Sequence, residues 1–481
     1  MRGATALLVV SLAAPAELTL VAQDAAPLTG KQRLMATGRL DPQDLATLAE
    51  RRAAGQAAAA LAPDGAPRRP ALAPGQVVVK MAGDAGNARL ATLAARAGAW
   101  RVARASYGDF TVLHVDPAAD VEALARALAA EPGVVYAEPV ARLRTAFRPN
   151  DPLYDLQWNL QKLEMERAWD INRGGASSVI VAVIDTGVAY TDEDEFTQAP
   201  DLAGGTFVSP RDFIWDDDLP VDLDGHGTHV TGTVAQTTDN DEGVAGLAFN
   251  VSVMPIKAVD GEVDAILEAP NIGTTSTLAE AIRYAVDNGA RVMNLSLGAD
   301  TGSTPLREAI DYAVAQGAVI AAAAGNDGDA GSPPFYPAAY AAEVDGLIAV
   351  GAVDFNLERS FFSNVNDYVE IAAPGGDIRM DLNDDGYADG VLQQTLDMDA
   401  IFDEGRFDVF VYQFNQGTSM ASPHVAALAA LLMDQGITSP AAIEAAIKRF
   451  ATDLGPTGRD DETGHGLINP RATLRGLGLT R

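Results

Sequence analysis

The sequence predicts an α/β protein: a mainly parallel sheet with helices on both faces, preceded by a small α+β domain of ferredoxin-like order. Three observations predict this. From Asp151 onward, continuous Val, Ile and Ala runs alternate with helical segments, the pattern of parallel strands buried on both faces. Over residues 75–140 the order is strand, helix, strand, strand, helix, strand. Charge also divides the chain. Residues 1–150 hold 17 Lys and Arg against 13 Asp and Glu, and residues 151–481 hold 17 against 53, which sets a boundary near residue 150.

The elements follow in order. Met1 to about Ala22 has a basic Arg2, then an apolar run, then small residues at Ala16 and Ala22, and reads as a secretory signal that sends the product outside the cell. Residues 23–70 are rich in Ala, Pro and Arg, and Ala62-Pro63-Asp64-Gly65-Ala66-Pro67 marks them as linker-like. Residues 71–145 form the small domain. Its expected strands are Val77–Lys80, Arg101–Ala105, Phe110–Val115 and Val134–Tyr136, and its expected helices are Asn87–Ala97 and Val121–Ala130. Ala141 to Pro149 is an extended, arginine-bearing connector.

Residues 146–481 form the large domain. Strands are expected at Val179–Ile184, Val251–Ala258, Arg291–Leu297, Val319–Ala324 and Leu347–Ala352. Helices are expected at His226–Gln236, Thr277–Asn288, Pro305–Gln316, Ser419–Asp434 and Ser439–Phe450. In such sheets the working residues lie at the carboxyl ends of the strands.

Composition excludes several functions. With no cysteine there is no disulfide and no thiol chemistry. No apolar run is long enough for a membrane span. A strongly acidic body repels nucleic acid. Nothing in the sequence forces an oligomer, so a monomer is expected.

The chemistry sits in three segments. Val181-Ala182-Val183-Ile184-Asp185 is an apolar strand ending in a carboxylate. Asp224-Gly225-His226-Gly227-Thr228-His229 opens a small-residue helix with an accessible histidine. Gly417-Thr418-Ser419-Met420-Ala421-Ser422-Pro423-His424 opens another with a serine. A serine hydroxyl is a weak nucleophile at neutral pH. It needs a base, and the base needs a carboxylate to fix its tautomer and hold its charge. Asp185, His226 and Ser419 fill these roles, while His229 and His424 are expected to be packing residues. The backbone N–H of Ser419 at its helix start and the side chain of Asn326, after Gly325, are the expected oxyanion donors.

Asp185-Thr186-Gly187, His226-Gly227-Thr228-His229-Val230, Asn294-Leu295-Ser296-Leu297-Gly298, Ala324-Gly325-Asn326 and the Gly417–Ala426 stretch together resemble a subtilisin-like (subtilase) catalytic domain. Gly464-His465-Gly466-Leu467-Ile468-Asn469 matches the family's closing segment, and residues 75–140 resemble its inhibitory propeptide. The resemblance implies a subtilisin-like fold and a serine endopeptidase acting on protein or peptide substrates, with its own propeptide as inhibitor. It implies that substrate pairs as a strand with Ser296, Leu297 and Gly298 on one side and with backbone near Gly261–Gly273 on the other. The first specificity pocket is then lined by Ser296 to Gly298 and by Ala323, Ala324 and Gly325, with Phe335 near its floor.

The resemblance also implies a structural calcium ion at the loop Thr237–Val244, held by Asp151, Asp201 and Asn240 with loop carbonyls. A second calcium loop is expected at Asp381, Asn383, Asp385 and Asp389, whose spacing and central Gly386 resemble an EF-hand-type loop. Its twelfth position is Leu392, with Asp397 or Asp399 as the expected replacement.

Overall fold

The computed structural model describes residues 72–82, 86–141, 147–193 and 195–476. The expected secretory signal, the linker-like segment and residues 142–146 of the connector lie outside the described residues. The contacts divide the chain between Phe147 and Arg148, two residues beyond the boundary expected from sequence.

The small unit contains β1 (Leu72–Met81), α1 (Gly86–Arg96), β2 (Arg101–Arg104), β3 (Thr111–His114), α2 (Val121–Ala129) and β4 (Val134–Ala141). Its strands pair antiparallel in the order β2-β3-β1-β4. Alternation on β1 turns Val77 and Val79 onto Leu90, Leu93, Val121 and Leu128 of the helices. Asp120 starts α2 by accepting the backbone N–H groups of Glu122 and Ala123.

The large unit is a parallel sheet. Its strands are β5 (Ile180–Asp185), β6 (Ser252–Lys257), β7 (Val292–Leu295), β8 (Val319–Ala323), β9 (Leu347–Val353) and β10 (Ile371–Pro374). They run in the order β10-β9-β8-β7-β5-β6, and the short strands Thr206–Phe207 and Arg211–Asp212 both pair with β6. Every residue of β6, β7, β8, β9 and β10 is buried, as continuous apolar strands between two helical layers require. One face packs on α4 (Thr275–Asp287) and α5 (Thr304–Ala315) through Ile184, Met254, Ile282, Ile310 and Ile320.

Two helices carry the motif residues, α3 (His226–Ala235) and α6 (Thr418–Asp434), and they pack on each other. Helix α7 (Pro440–Phe450) follows. Sequence reading missed a hairpin in the insertion before Gly417. It consists of β11 (Val391–Leu396) and β12 (Phe410–Asn415), antiparallel, with the short helix Met398–Glu404 between them. All six residues of β11 are buried, polar Gln393, Gln394 and Thr395 included, so the strand shows no alternation to read. The edge segment near Gly261–Gly273 contains a short helix, Glu262–Ile266. Among the described residues no helix is long and apolar enough to cross a membrane.

Candidate active site

Asp185 is the last residue of β5, where the sheet ends and a side chain reaches the open edge. His226 begins α3. Its Nδ1 lies 2.6 Å from Asp185 Oδ1, a contact that puts the ring N–H on Nδ1 and the lone pair on Nε2. Asp185 is fully enclosed, with Oδ1 also accepting the Thr186 N–H at 2.8 Å, whereas the His226 side chain keeps 30 % of its surface exposed. Burial alone lowers the basicity of His226. The Asp185 carboxylate, with Asp224 and Asp222 adding, outweighs it and holds the imidazole pKa above its ordinary value.

A residue that sequence reasoning missed fixes this helix start. Asp222 accepts the N–H groups of Asp224, Gly225 and Thr228 and the hydroxyls of Thr186 and Thr228. An Asp ahead of a Gly-His helix start is a capping signal that could have found it. His229 and His424 are buried, as expected of packing residues. His229 donates Nε2–H to Gln413 O, and His424 bonds Met420 O and Asn159. Burial pushes both down to about 4.

Ser419 lies in the first turn of α6. Four residues on stands Pro423, which has no N–H to offer the Ser419 carbonyl. Ser296 Oγ takes that place and donates to Ser419 O at 2.7 Å, while Ser419 Oγ donates to Ser296 O at 3.1 Å. No Ser419–His226 hydrogen bond is formed in this conformation. The register Val183↔Asn294 between β5 and β7, continued two places, sets Ser296 beside Asp185. Asp185, Ser296 and Ser419 therefore gather at the carboxyl ends of neighbouring strands.

Asn326 follows β8. Its Oδ1 accepts both the N–H (2.8 Å) and the hydroxyl (2.9 Å) of Thr418, and this fixes which way the amide faces. Gly417 has φ 149° and ψ 160°, backbone that is essentially glycine's alone. A Cβ built on Gly417 would stand 3.5 Å from Ser419 N and 3.6 Å from Asn326 Nδ2. Both donors thus flank one empty spot beside the serine.

The ring of Phe335 packs on Gly298, where a Cβ would meet Phe335 carbons at 2.5 and 2.7 Å, and its Cβ approaches Gly325. The side chain is half-buried and lies between the two glycines that line the expected first pocket. Ala324 is held by β9 through its N–H and by the Tyr368 hydroxyl through its carbonyl. Farther out is a cavity of about 280 Å³ lined by Leu297, Gly298 and Tyr336 on one side and by Val259, Gly273 and Leu278 on the other. Of the expected second edge, Val259 and Gly273 line this cavity. Gly261 instead packs against Asp224, 3.1 Å from its Oδ2 at the Cβ position.

The first expected calcium set is brought together. Asp151 and Asp201 are both completely buried under the loop Thr237–Val244. Asp151 accepts the Asp239 N–H at 2.9 Å, and Asp201 accepts the Val244 N–H at 2.9 Å. Burial, with Asp151 and Glu242 adding, pushes the Asp201 carboxyl up to about 8, so a cation here would offset a real cost. Asn240 points Nδ2 at Asp201 (2.9 Å), so its amide must turn over before its oxygen can serve as a ligand. Oxygen donors of this kind suit calcium.

The second loop fits less well. Asn383 and Asp385 spend oxygens on each other and on the Asp385 and Tyr387 N–H groups. Asp389 is buried with Oδ1 unpartnered, and burial, with Asp385 and Asp381 adding, raises its carboxyl to about 6. The expected replacements for Leu392 fail. Leu392 is core, and Asp397 caps the helix Met398–Glu404 at the far end of β11, which at about 3.3 Å per residue is roughly 20 Å away. Among the described residues, no three His, Asp or Glu side chains gather as a metal cluster.

Comparison with known proteins agrees with this geometry. Residues 176–466 match the model of the subtilase family, and residues 59–139 match that of the fervidolysin N-terminal prodomain. The thermophilic serine proteinase of Bacillus sp. (strain AK1) is 40% identical over 350 residues, 73% of this chain and 74% of that protein. Thermitase of Thermoactinomyces vulgaris is 36% identical over 313 residues, 65% of this chain and 94% of that protein. A solved protease structure from Pseudoalteromonas arctica aligns with TM-score 0.56 at 30% identity, over 68% of this chain and 99% of that one. The chain therefore belongs to the subtilase family and is a subtilisin-like serine endopeptidase with a fervidolysin-type prodomain.

Proposed function

We propose that this endopeptidase is secreted, works through an acyl-enzyme on Ser419, and is held by its own N-terminal domain until that domain is cut away. The observation that carries the reading is the 2.6 Å Asp185–His226 bond, with Ser419 N and Asn326 Nδ2 converging on one spot. Ser419 Oγ leaves Ser296 O, gives its proton to His226 Nε2 and attacks the substrate carbonyl carbon. Asp185 holds the resulting imidazolium, and Asn326 Nδ2 and Ser419 N–H donate to the oxyanion. His226 then protonates the leaving amine. Water, deprotonated by His226, releases the acid and restores Ser419.

Ser296, Leu297 and Gly298 bind substrate as an added strand, and Phe335 makes the first pocket shallow. Calcium binds at Asp151, Asp201 and the loop Thr237–Val244, with Asn240 joining after its amide turns. Asp381, Asn383, Asp385 and Asp389 form a weaker second site. The test is labelling with a fluorophosphonate. A single adduct on Ser419 in the wild type, lost in Ser419→Ala and His226→Ala, supports the reading. Labelling that ignores His226→Ala, or no labelling of the wild type, contradicts it and favours a silent binding protein on the same fold.

A further inference from the structure

We propose that the buried Lys257–Asp264 ion pair is a positioning device for the outer substrate edge, holding the loop Asp260–Gly273 in register with the catalytic strand ends. The inference rests on the reading of the cleft given above.

Lys257 is the last residue of β6 and stands beside Asp185 in the parallel register. Its ammonium meets Asp264 Oδ2 at 2.9 Å, with both side chains wholly buried, and also donates to Val221 O at 3.3 Å. Asp264 has further work. Its Oδ2 accepts the Gly261 N–H at 2.9 Å, and its Oδ1 accepts the Trp215 indole N–H at 2.7 Å. Asp212, whose Oδ1 caps Ile214 and Trp215, is also buried and feels the Lys257 charge. One ammonium thus ties together three segments: the end of β6, the acidic stretch that leads into α3, and the outer-edge loop.

The loop has little else to hold it. Between Val259 and Thr277 only Val263 and Asp264 are buried, and Ile266, Leu267 and Ile272 face outward. The remaining ties are polar: Asp260 to the Gly273 N–H, and Asn271 to Phe213 and Ile214. An apolar loop usually fixes itself by burying its apolar side chains. This one buries only Val263, against Val188, Leu223 and Leu396, and beside it a charge pair, which gives little net stability but specifies one arrangement.

That arrangement matters at both of its ends. At the start, the Ala258 and Val259 N–H groups bond the Asp185 carbonyl, and Gly261 sits on Asp224, which accepts the His226 N–H. At the far end, Gly273 lines the 280 Å³ cavity opposite Leu297 and Gly298. The pair therefore sets the width of the groove that a long substrate must enter. A short substrate does not reach it.

The test compares a dipeptide and a pentapeptide nitroanilide with the same residue before the cut, using the full chain after self-processing. Wild type is compared with Asp264→Asn and with Lys257→Met/Asp264→Asn, which removes both charges of the pair together. The double variant is expected to melt near the wild type and to keep dipeptide kcat/KM within about twofold. Its pentapeptide kcat/KM should fall at least about tenfold, mostly through KM. Asp264→Asn alone should show the same split with a lower Tm. Equal losses on both peptides would mean a merely structural pair and overturn the proposal, as would an unchanged ratio in the double variant. A wild type inactive on both peptides would refute the reading of the cleft itself.

Discussion

At the scale of single residues, the site is built by hydrogen bonds that fix which way each polar side chain faces. Thr418 occupies Asn326 Oδ1, which leaves Nδ2 for the proposed oxyanion. Replacing Asn326 with Ala should lower kcat by about 10²–10³ (roughly 3–4 kcal/mol, the range known for this donor in subtilisin) with little change in KM. Steady-state kinetics on one peptide series checks this. Acidic neighbours hold His226 protonated to higher pH than a free imidazole, and a general base must be neutral. The acid limb of kcat/KM should therefore lie above pH 6.5, the ordinary imidazole value, and activity should rise as pH increases through it. Removing one of those charges with Asp224→Asn should move the limb to lower pH. A pH–rate profile of both proteins reads the shift. With its ring on Gly298, Phe335 should favour small and medium apolar residues before the cut. In a series of Ala, Leu, Phe and Tyr substrates, Phe335→Gly should shift preference toward Phe and Tyr; fastest wild-type cleavage after Phe and Tyr would contradict this account.

At the scale of elements, the loop Thr237–Val244 carries the clearest prediction. Asp201 is raised to about 8 without a cation, so its proton is bound at pH 6 and lost above pH 8. A carboxyl raised on folding costs stability as pH climbs through its folded value, and calcium removes that cost. EDTA should therefore lower Tm more at pH 9 than at pH 6, and calcium affinity should rise with pH. Scanning calorimetry with and without EDTA at both pH values decides it; an equal effect at both would remove Asp201 from the shell. The elements also show what could be read in advance. Strands β5 to β9 and helices α3 to α7 announced themselves by continuous apolar runs and helical period. The motif residues were legible because glycine and small residues mark tight helix starts. The hairpin β11–β12 was not legible, because its buried Gln and Thr residues answer to neighbouring backbone rather than to a hydrophobic pattern: Thr395 donates to Gly225 O, Gln393 donates to Ala245 O, and Gln394 accepts the Asp201 N–H. The Lys257–Asp264 pair was equally hidden, since a lysine ending an apolar strand gives no sign that its partner lies seven residues on.

At the scale of the whole molecule, the division between Phe147 and Arg148 coincides with the change from a mildly basic segment to a strongly acidic body. A prodomain with a core of its own, followed by an arginine-bearing connector, supports the proposal that this protease is cut to become active. The most direct test follows the purified precursor, wild type beside Ser419→Ala, incubated with calcium and monitored by intact mass and casein hydrolysis. The account predicts that wild type alone cuts itself between about residues 141 and 150 and then digests casein. Equal cutting of both proteins, or a wild type that stays whole and inert, would contradict it.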